Sequence, residues 1–229
     1  ELPDPSSLPW DSIHDVPLAL VTGTNGKTTT VRLLACIARA AGLQPGFSST
    51  DQVVVGEEVV ERGDWSGPGG ARRVLQDKGT QIALLETARG GMLRRGLAVE
   101  RADVAAVLNV GADHLGEWGV GSLEALCQGK FVVTSVAPLI VLNADDEAVS
   151  RAGRALGKPT IWFSLQPPSP WLRELLSGGG RAYLCEDGCL VRREGDACQK
   201  LLDLDDLPIG LGGAARHNVA NALAAAGIA

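Results

Sequence analysis

Apolar residues along this chain follow two rhythms. Short unbroken runs occur at Pro17-Leu18-Ala19-Leu20-Val21, Ile82-Ala83-Leu84-Leu85, Val104-Ala105-Ala106-Val107-Leu108, Leu139-Ile140-Val141-Leu142 and Thr160-Ile161-Trp162-Phe163, with the length and continuity of strands buried on both faces. Between them the apolar positions recur at helical spacing. Val31 to Ala38 predicts a helix ending near Ala41, with Gly42 suited to the left-handed position after it. Ala71 to Asp77 reads as a short helix, Ser122 caps one that carries Lys130, Asp145 or Asp146 caps another, and a last helix begins near His217.

Alternation of buried strands and helices predicts an α/β fold, a mostly parallel sheet with helices on both faces. Two stretches break the rhythm. Val53-Val54-Val55 and Val59-Val60, split by Gly56-Glu57-Glu58, predict a small hairpin on the rim; Arg181 to Arg192, with its Asp187-Gly188 turn, predicts a small antiparallel sheet appended near the end. Residues 1–16 hold three of the twelve prolines and no periodicity, and read as a linker into one domain over 17–229.

The joint between the first strand and helix is Thr22-Gly23-Thr24-Asn25-Gly26-Lys27-Thr28-Thr29. Glycines let a backbone turn present several N–H groups to one anion, and a helix N-terminus adds partial positive charge. A long cation and a hydroxyl on adjacent residues suit phosphate and magnesium: Lys27 is expected at the β- and γ-phosphates, Thr28 on the metal. The pattern is a shortened variant of G-x-x-x-x-G-K-[ST], because Val21 stands at the first glycine position. The alternative is a glycine turn capping an ordinary helix.

In such a sheet chemistry collects at the carboxyl ends of strands, which brings in further candidates. Phe47 to Asp51 predicts a second strand whose polar end faces the loop, and Glu86 ends the Ile82 strand at the same edge. Asn109 ends the next, followed by a loop with Asp113 and His114. Glu86 read otherwise is an exposed helix cap. Asn218 and Asn221 lie three apart, so they share a helix face where paired amides can read the edge of adenine, or Asn218 is simply a helix cap.

Composition narrows the class. With 45% hydrophobic residues, 21% charged residues and a net charge of −6, the chain offers no basic field for nucleic acid or an anionic membrane, and it has no apolar run of membrane-spanning length. Five cysteines, an odd number, fit a reducing cytoplasm; Cys36 and Cys127 are expected on apolar helix faces, and Cys185, Cys189 and Cys198 lack a close Cys-x-x-Cys pair for zinc.

Taken together, the loop, Leu85-Glu86, Asn109 with Asp113-His114, Lys130, Asn143-Ala144-Asp145-Asp146 and His217-Asn218-x-x-Asn221 resemble the ATP-binding central domain of the Mur ligase family. Gly63-Asp64-x-Ser66-Gly67-Pro68 and Glu86-Thr87-Ala88-Arg89-Gly90-Gly91-Met92-Leu93-Arg94-Arg95-Gly96-Leu97 are most similar to the Mur-ligase half of cyanophycin synthetases. The resemblance implies an ATP-dependent carboxylate–amine ligase that acts through an acyl phosphate. By it, Gly23 to Thr29 bind ATP with Asn218 and Asn221, Thr28 and Glu86 hold one magnesium, and His114 with a carbamylated Lys130 holds a second. Lys27, Glu86, His114 and Lys130 are then the catalytic set. Arg89 would hold a carboxylate of a small-molecule or acidic peptide substrate, which an amino-acid amine attacks after activation; Arg94 and Arg95 either join it or form a solvated helix face. Such enzymes carry further domains on either side, so these 229 residues are expected to be a central domain. The rival readings are a P-loop ATPase or kinase, and a non-catalytic nucleotide-binding module.

Overall fold

The computed structural model describes residues 16–112, 116 and 121–229. All but one residue of the expected linker, together with Asp113 and His114, lie outside that set. Strand β1 (Leu18–Thr22) runs down the middle of the sheet, pairing in parallel with β5 (Ile82–Glu86) on one side and β6 (Val104–Val107) on the other. Beyond β5 lies β2 (Pro45–Ser48); beyond β6 follow β7 (Leu139–Asn143), β8 (Thr160–Ser164) and β9 (Arg181–Glu186), all parallel.

Each edge then turns antiparallel. The rim hairpin, β3 (Gln52–Val55) and β4 (Glu58–Arg62), pairs onto β2, while β10 (Cys189–Glu194) and β11 (Ala197–Asp203) extend β9. The expected antiparallel strands are thus appended directly to the parallel ones: the described strands make one sheet in the order β11-β10-β9-β8-β7-β6-β1-β5-β2-β3-β4.

Alternation along each strand divides the core into two layers. Leu18 and Leu20 join Leu85, Leu142 and Trp162 under α2 (Pro68–Gln76), α3 (Arg89–Arg95), α4 (Leu123–Phe131), α5 (Glu147–Arg154) and α6 (Pro170–Ser177). Ala19 and Val21 join Leu84, Val141 and Phe163 under α1 (Lys27–Ala40) and α7 (Arg216–Ile228), which supply Val31, Leu34 and Leu223. Each large side chain buried this fully contributes about 1.5–3 kcal/mol of transfer free energy, so the strands read as continuous apolar runs because both faces are covered.

Local chemistry sets the element ends. Ser122 and Asp146 cap α4 and α5 by accepting from the backbone N–H of Ala125 and Val149, which assigns the second cap to Asp146. Helix α2 starts at Pro68, three residues before the expected Ala71, because a proline fits the first helical position, where its missing N–H has no partner to lose. The second strand stops at Ser48 and not at Asp51: Ser49 N–H donates to Gln52 O, closing a tight turn that leads into β3. Cys36 is exposed, contrary to its expected apolar face; Cys127 is buried as expected.

From β1 the chain passes through α1 to β2, returns between them as β5, then crosses to β6 beyond β1. Connections leave the strand ends in opposite directions here, and the crevice that opens at such a switch point is where ligands bind in open α/β sheets.

Candidate active site

The loop from Gly23 to Gly26 fills that crevice, and Asn109 holds it. Asn25 N–H donates to Asn109 Oδ1 (2.8 Å), while Asn109 Nδ2 donates to Asn25 O (3.0 Å). Thr24 N–H donates to Asn109 O (3.0 Å), and Thr24 Oγ1 accepts from Gly111 N–H (2.8 Å). Gly26 takes φ 88°, a left-handed conformation that L side chains rarely adopt, and a Cβ there would lie 2.2 Å from Asn221 Oδ1. Helix α1 starts at the next residue with no side-chain cap and no acidic residue in its first turn. An uncapped helix start behind a rigid glycine turn offers N–H groups and partial positive charge to an anion.

Charge gathers on the β5 side. Glu86 is 2% exposed. Its Oε2 accepts from Thr28 Oγ1 (2.7 Å) and from Thr50 N–H (3.3 Å), whereas Oε1 is buried with no hydrogen-bond partner. Burial raises the Glu86 carboxyl above the usual carboxylate range, opposed by the Thr28 hydrogen bond and the charge of Lys27. Burial likewise lowers Lys27, opposed by Glu86 and Asp64; its Nζ donates to Thr24 O (3.0 Å). A buried carboxylate oxygen with nothing bound costs free energy unless a cation takes it, and a threonine hydroxyl beside a carboxylate is a hard oxygen donor set that fits magnesium. The structure thus brings together Lys27, Thr28 and Glu86, and disposes of the exposed-cap reading of Glu86.

Lys130, on α4, is 5% exposed. Burial lowers its pKa to about 8, helped by the positive charges of Lys27 and Arg89 and opposed by Cys127. The three cations thus lie within electrostatic reach of one another. Arg89, the first residue of α3, is 8% exposed. Arg94 and Arg95 are exposed, on the rim of a cleft of about 330 Å³ between the glycine-rich starts of α2 and α3. The backbones around it pack too closely for side chains: a Cβ at Gly70 would meet Trp65 O at 1.9 Å and one at Gly91 would meet Gly67 Cα at 3.0 Å.

On the α7 side a second cleft, of about 470 Å³, runs from Asn25 and Gly26 past Asn143 and Phe163 to His217, Asn218 and Asn221. Asn218 is not the helix cap, a position taken by Ala215; its Nδ2 donates to Ile209 O (2.8 Å). Asn221 is buried against Gly26. The two amides share this cleft with Gly26 and Thr29, while His114 lies outside the described residues.

Three contributors had no site role assigned from the sequence. Asn109 clamps the loop, Asp146 receives Val110 N–H (2.8 Å) through the oxygen not used for its cap, and Thr50 joins Thr28 and Glu86. Their shared signal is a polar residue just past a buried strand, which marks an edge position and gives no indication of its partner.

The chain is 43% identical over 213 residues to cyanophycin synthetase of Trichormus variabilis, covering 92% of this chain and 24% of that protein. It is 33% identical over 232 residues to UDP-N-acetylmuramoylalanine--D-glutamate ligase of Streptomyces coelicolor, covering 93% of this chain and 40% of that protein. The chain therefore spans 24% of the length of the cyanophycin synthetase it matches. A solved UDP-N-acetylmuramoyl-L-alanyl-D-glutamate--2,6-diaminopimelate ligase shares the fold, with a TM-score of 0.67 at 20% identity, covering 94% of this chain and 43% of that one. Residues 21–229 match the Mur ligase middle domain, and the chain belongs to that family.

Proposed function

We propose that this domain is the ATP-binding core of a carboxylate–amine ligase, and that its acid substrate is a small molecule or an acidic peptide, as in a cyanophycin synthetase. The observation that carries the reading is Glu86, a nearly inaccessible carboxylate with Oε2 fixed by Thr28 and Thr50 and Oε1 uncommitted, beside a phosphate loop and its lysine. Family membership supports the same reading, as do relatives whose names are those of synthetases and ligases.

In the proposed reaction a substrate carboxylate oxygen attacks the γ-phosphorus of ATP and ADP leaves. The amine then attacks the acyl carbon, loses a proton, and phosphate departs from the tetrahedral intermediate. Phosphoryl transfer needs positioning and charge neutralisation more than acid–base machinery. Lys27 meets the β- and γ-phosphates, the Gly23 to Thr29 backbone orients them, and Asn218 and Asn221 face the adenine. Thr28 and Glu86 would hold magnesium, which neutralises charge on the transferring group, and Lys130 with His114 would hold a second ion. Burial suits Lys130 to this: with its pKa lowered to about 8, far more of its amine is neutral near neutral pH than in an exposed lysine, and the neutral amine is the form that adds carbon dioxide and releases a proton to become a carbamate. Arg89 would grip the substrate carboxylate through its planar fork.

Oxygen-18 in the acid's carboxylate tests the reading. Incubation of the protein with ATP, the labelled acid and an amine should deliver one label into released phosphate. Amide product accompanied by unlabelled phosphate would exclude the acyl phosphate.

A further inference from the structure

Thr50 stands at the tip of the turn between β2 and β3, and every flank of that turn is tied down. Ser49 Oγ donates to Asp51 Oδ1 (2.6 Å) and sits 3.0 Å from Gln52 O, Gly63 N–H donates to Asp51 O (2.9 Å), and Trp65 N–H donates to Ser49 O (2.9 Å). Arg32 of α1 pairs with Asp51 from the other side. A turn held so thoroughly presents its tip residue in one place.

Counting protons fixes the direction of the bonds at that tip. Thr28 has one hydroxyl proton and gives it to Glu86 Oε2 (2.7 Å), so the Thr28–Thr50 hydroxyl pair at 3.1 Å has Thr50 as donor. Thr50 N–H reaches the same Oε2 at 3.3 Å. Both groups of Thr50 thereby occupy electron pairs of Thr28 Oγ1 and Glu86 Oε2, leaving one lone pair on Thr28 Oγ1 and all of Glu86 Oε1 for binding.

We propose that Thr50 is a positioning residue for the cation site, setting its affinity for magnesium by orienting Thr28 and Glu86 while touching neither metal nor nucleotide. The inference rests on the reading of Thr28 and Glu86 as magnesium ligands. Ligand orientation by an outer hydrogen bond acts on affinity for the ion and leaves its chemistry alone. Thr50 is exposed, so water can replace part of what its hydroxyl does, and the effect is correspondingly modest.

The experiment titrates magnesium against the binding of a non-hydrolysable ATP analogue by calorimetry, in the wild type, Thr50→Val, Thr50→Ser and Glu86→Gln. Thr50→Val should raise the magnesium concentration for half-maximal binding about two- to tenfold, the range one net hydrogen bond supplies. Thr50→Ser, which keeps the hydroxyl, should stay near wild type. Melting temperatures without nucleotide should coincide for the wild type and both Thr50 variants. An unchanged magnesium dependence in Thr50→Val overturns the proposal, and so does an equal loss in Thr50→Ser. Weakened binding that no magnesium concentration restores would place Thr50 on the nucleotide and overturn it as well. Glu86→Gln keeps the two failures apart: if that variant too binds with wild-type magnesium dependence, the cation site itself is misassigned.

Discussion

The two sides of the phosphate loop are built on opposite principles. On the β5 side, Lys27, Glu86 and Lys130 are ionisable groups withdrawn from water, each with a pKa displaced mainly by burial toward its neutral form. On the α7 side the lining groups are largely neutral, with Asn221 packed against Gly26 and Asn218 tied to Ile209. Charge concentrated in a dry site costs folding free energy and gains transition-state stabilisation, because electrostatic interactions strengthen where water is excluded. A neutral, shape-fitted wall costs little and holds a base without driving chemistry. The difference predicts that substitutions on the first side act on turnover and pH dependence, and those on the second on affinity and base preference.

The sharpest break is Lys27→Ala. If Lys27 makes the proposed charge-assisted contact to the transferring group, turnover of ATP should fall at least about a hundredfold, equivalent to about 2.7 kcal/mol. Turnover within a few-fold of wild type would end the division between a chemical and a binding side.

Lys130 tests the electrostatic half by stability alone. Its pKa falls from 10.5 to about 8 on folding. Between those values the unfolded chain binds a proton that the folded chain does not, so stability rises with pH across that window, by at most about 3 kcal/mol from this group. In Lys130→Met that contribution disappears. Urea unfolding of both proteins at pH 7.5 and pH 10, in buffer free of carbon dioxide, reads the difference. If Lys130 is carbamylated, bicarbonate at pH 8 should stabilise the wild type and not the variant; no differential stabilisation would leave Lys130 a plain buried amine.

Much of the charged side was legible in the sequence, and the reason is physical. Glu86 closes a run of four apolar residues, so its carboxylate had to sit at a strand end, and Gly26-Lys27-Thr28 follows directly from another such run. The roles of Thr50, Asn109 and Asp146 at the site were not legible because their partners lie 22 or more positions away and depend on strand order. Pairing was the main gap in the fold too. The hairpins were visible from their turns, but nothing local says that β3 joins β2 or that β9 joins β8 in one continuous sheet. Strand β11 went unseen because five of its seven residues are exposed, which erases the apolar alternation.

Gly26 is where the two sides touch, so Gly26→Ala should disturb both. The left-handed φ and the 2.2 Å approach to Asn221 Oδ1 both oppose a methyl group, and together should lower stability by roughly 1–3 kcal/mol, with weaker nucleotide binding. Adding Asn221→Ala should recover the steric part and leave the backbone part. A double variant no more stable than Gly26→Ala would show that the amide yields freely and that backbone conformation accounts for the whole loss.

The smallest effect is expected at Asn218. Its Nδ2 gives one of its two protons to Ile209 O, which fixes the amide plane and leaves Oδ1 as an acceptor in that cleft suited to the exocyclic amine of adenine. Asn218→Ala should therefore weaken ATP about fivefold, the worth of one modest hydrogen bond, while leaving the weaker binding of GTP unchanged or slightly improved. Measuring both nucleotides separates recognition from support. Equal losses for ATP and GTP would mean that Asn218 serves to brace the start of α7 through Ile209, and the neutral side of the loop would then fit the base by shape alone.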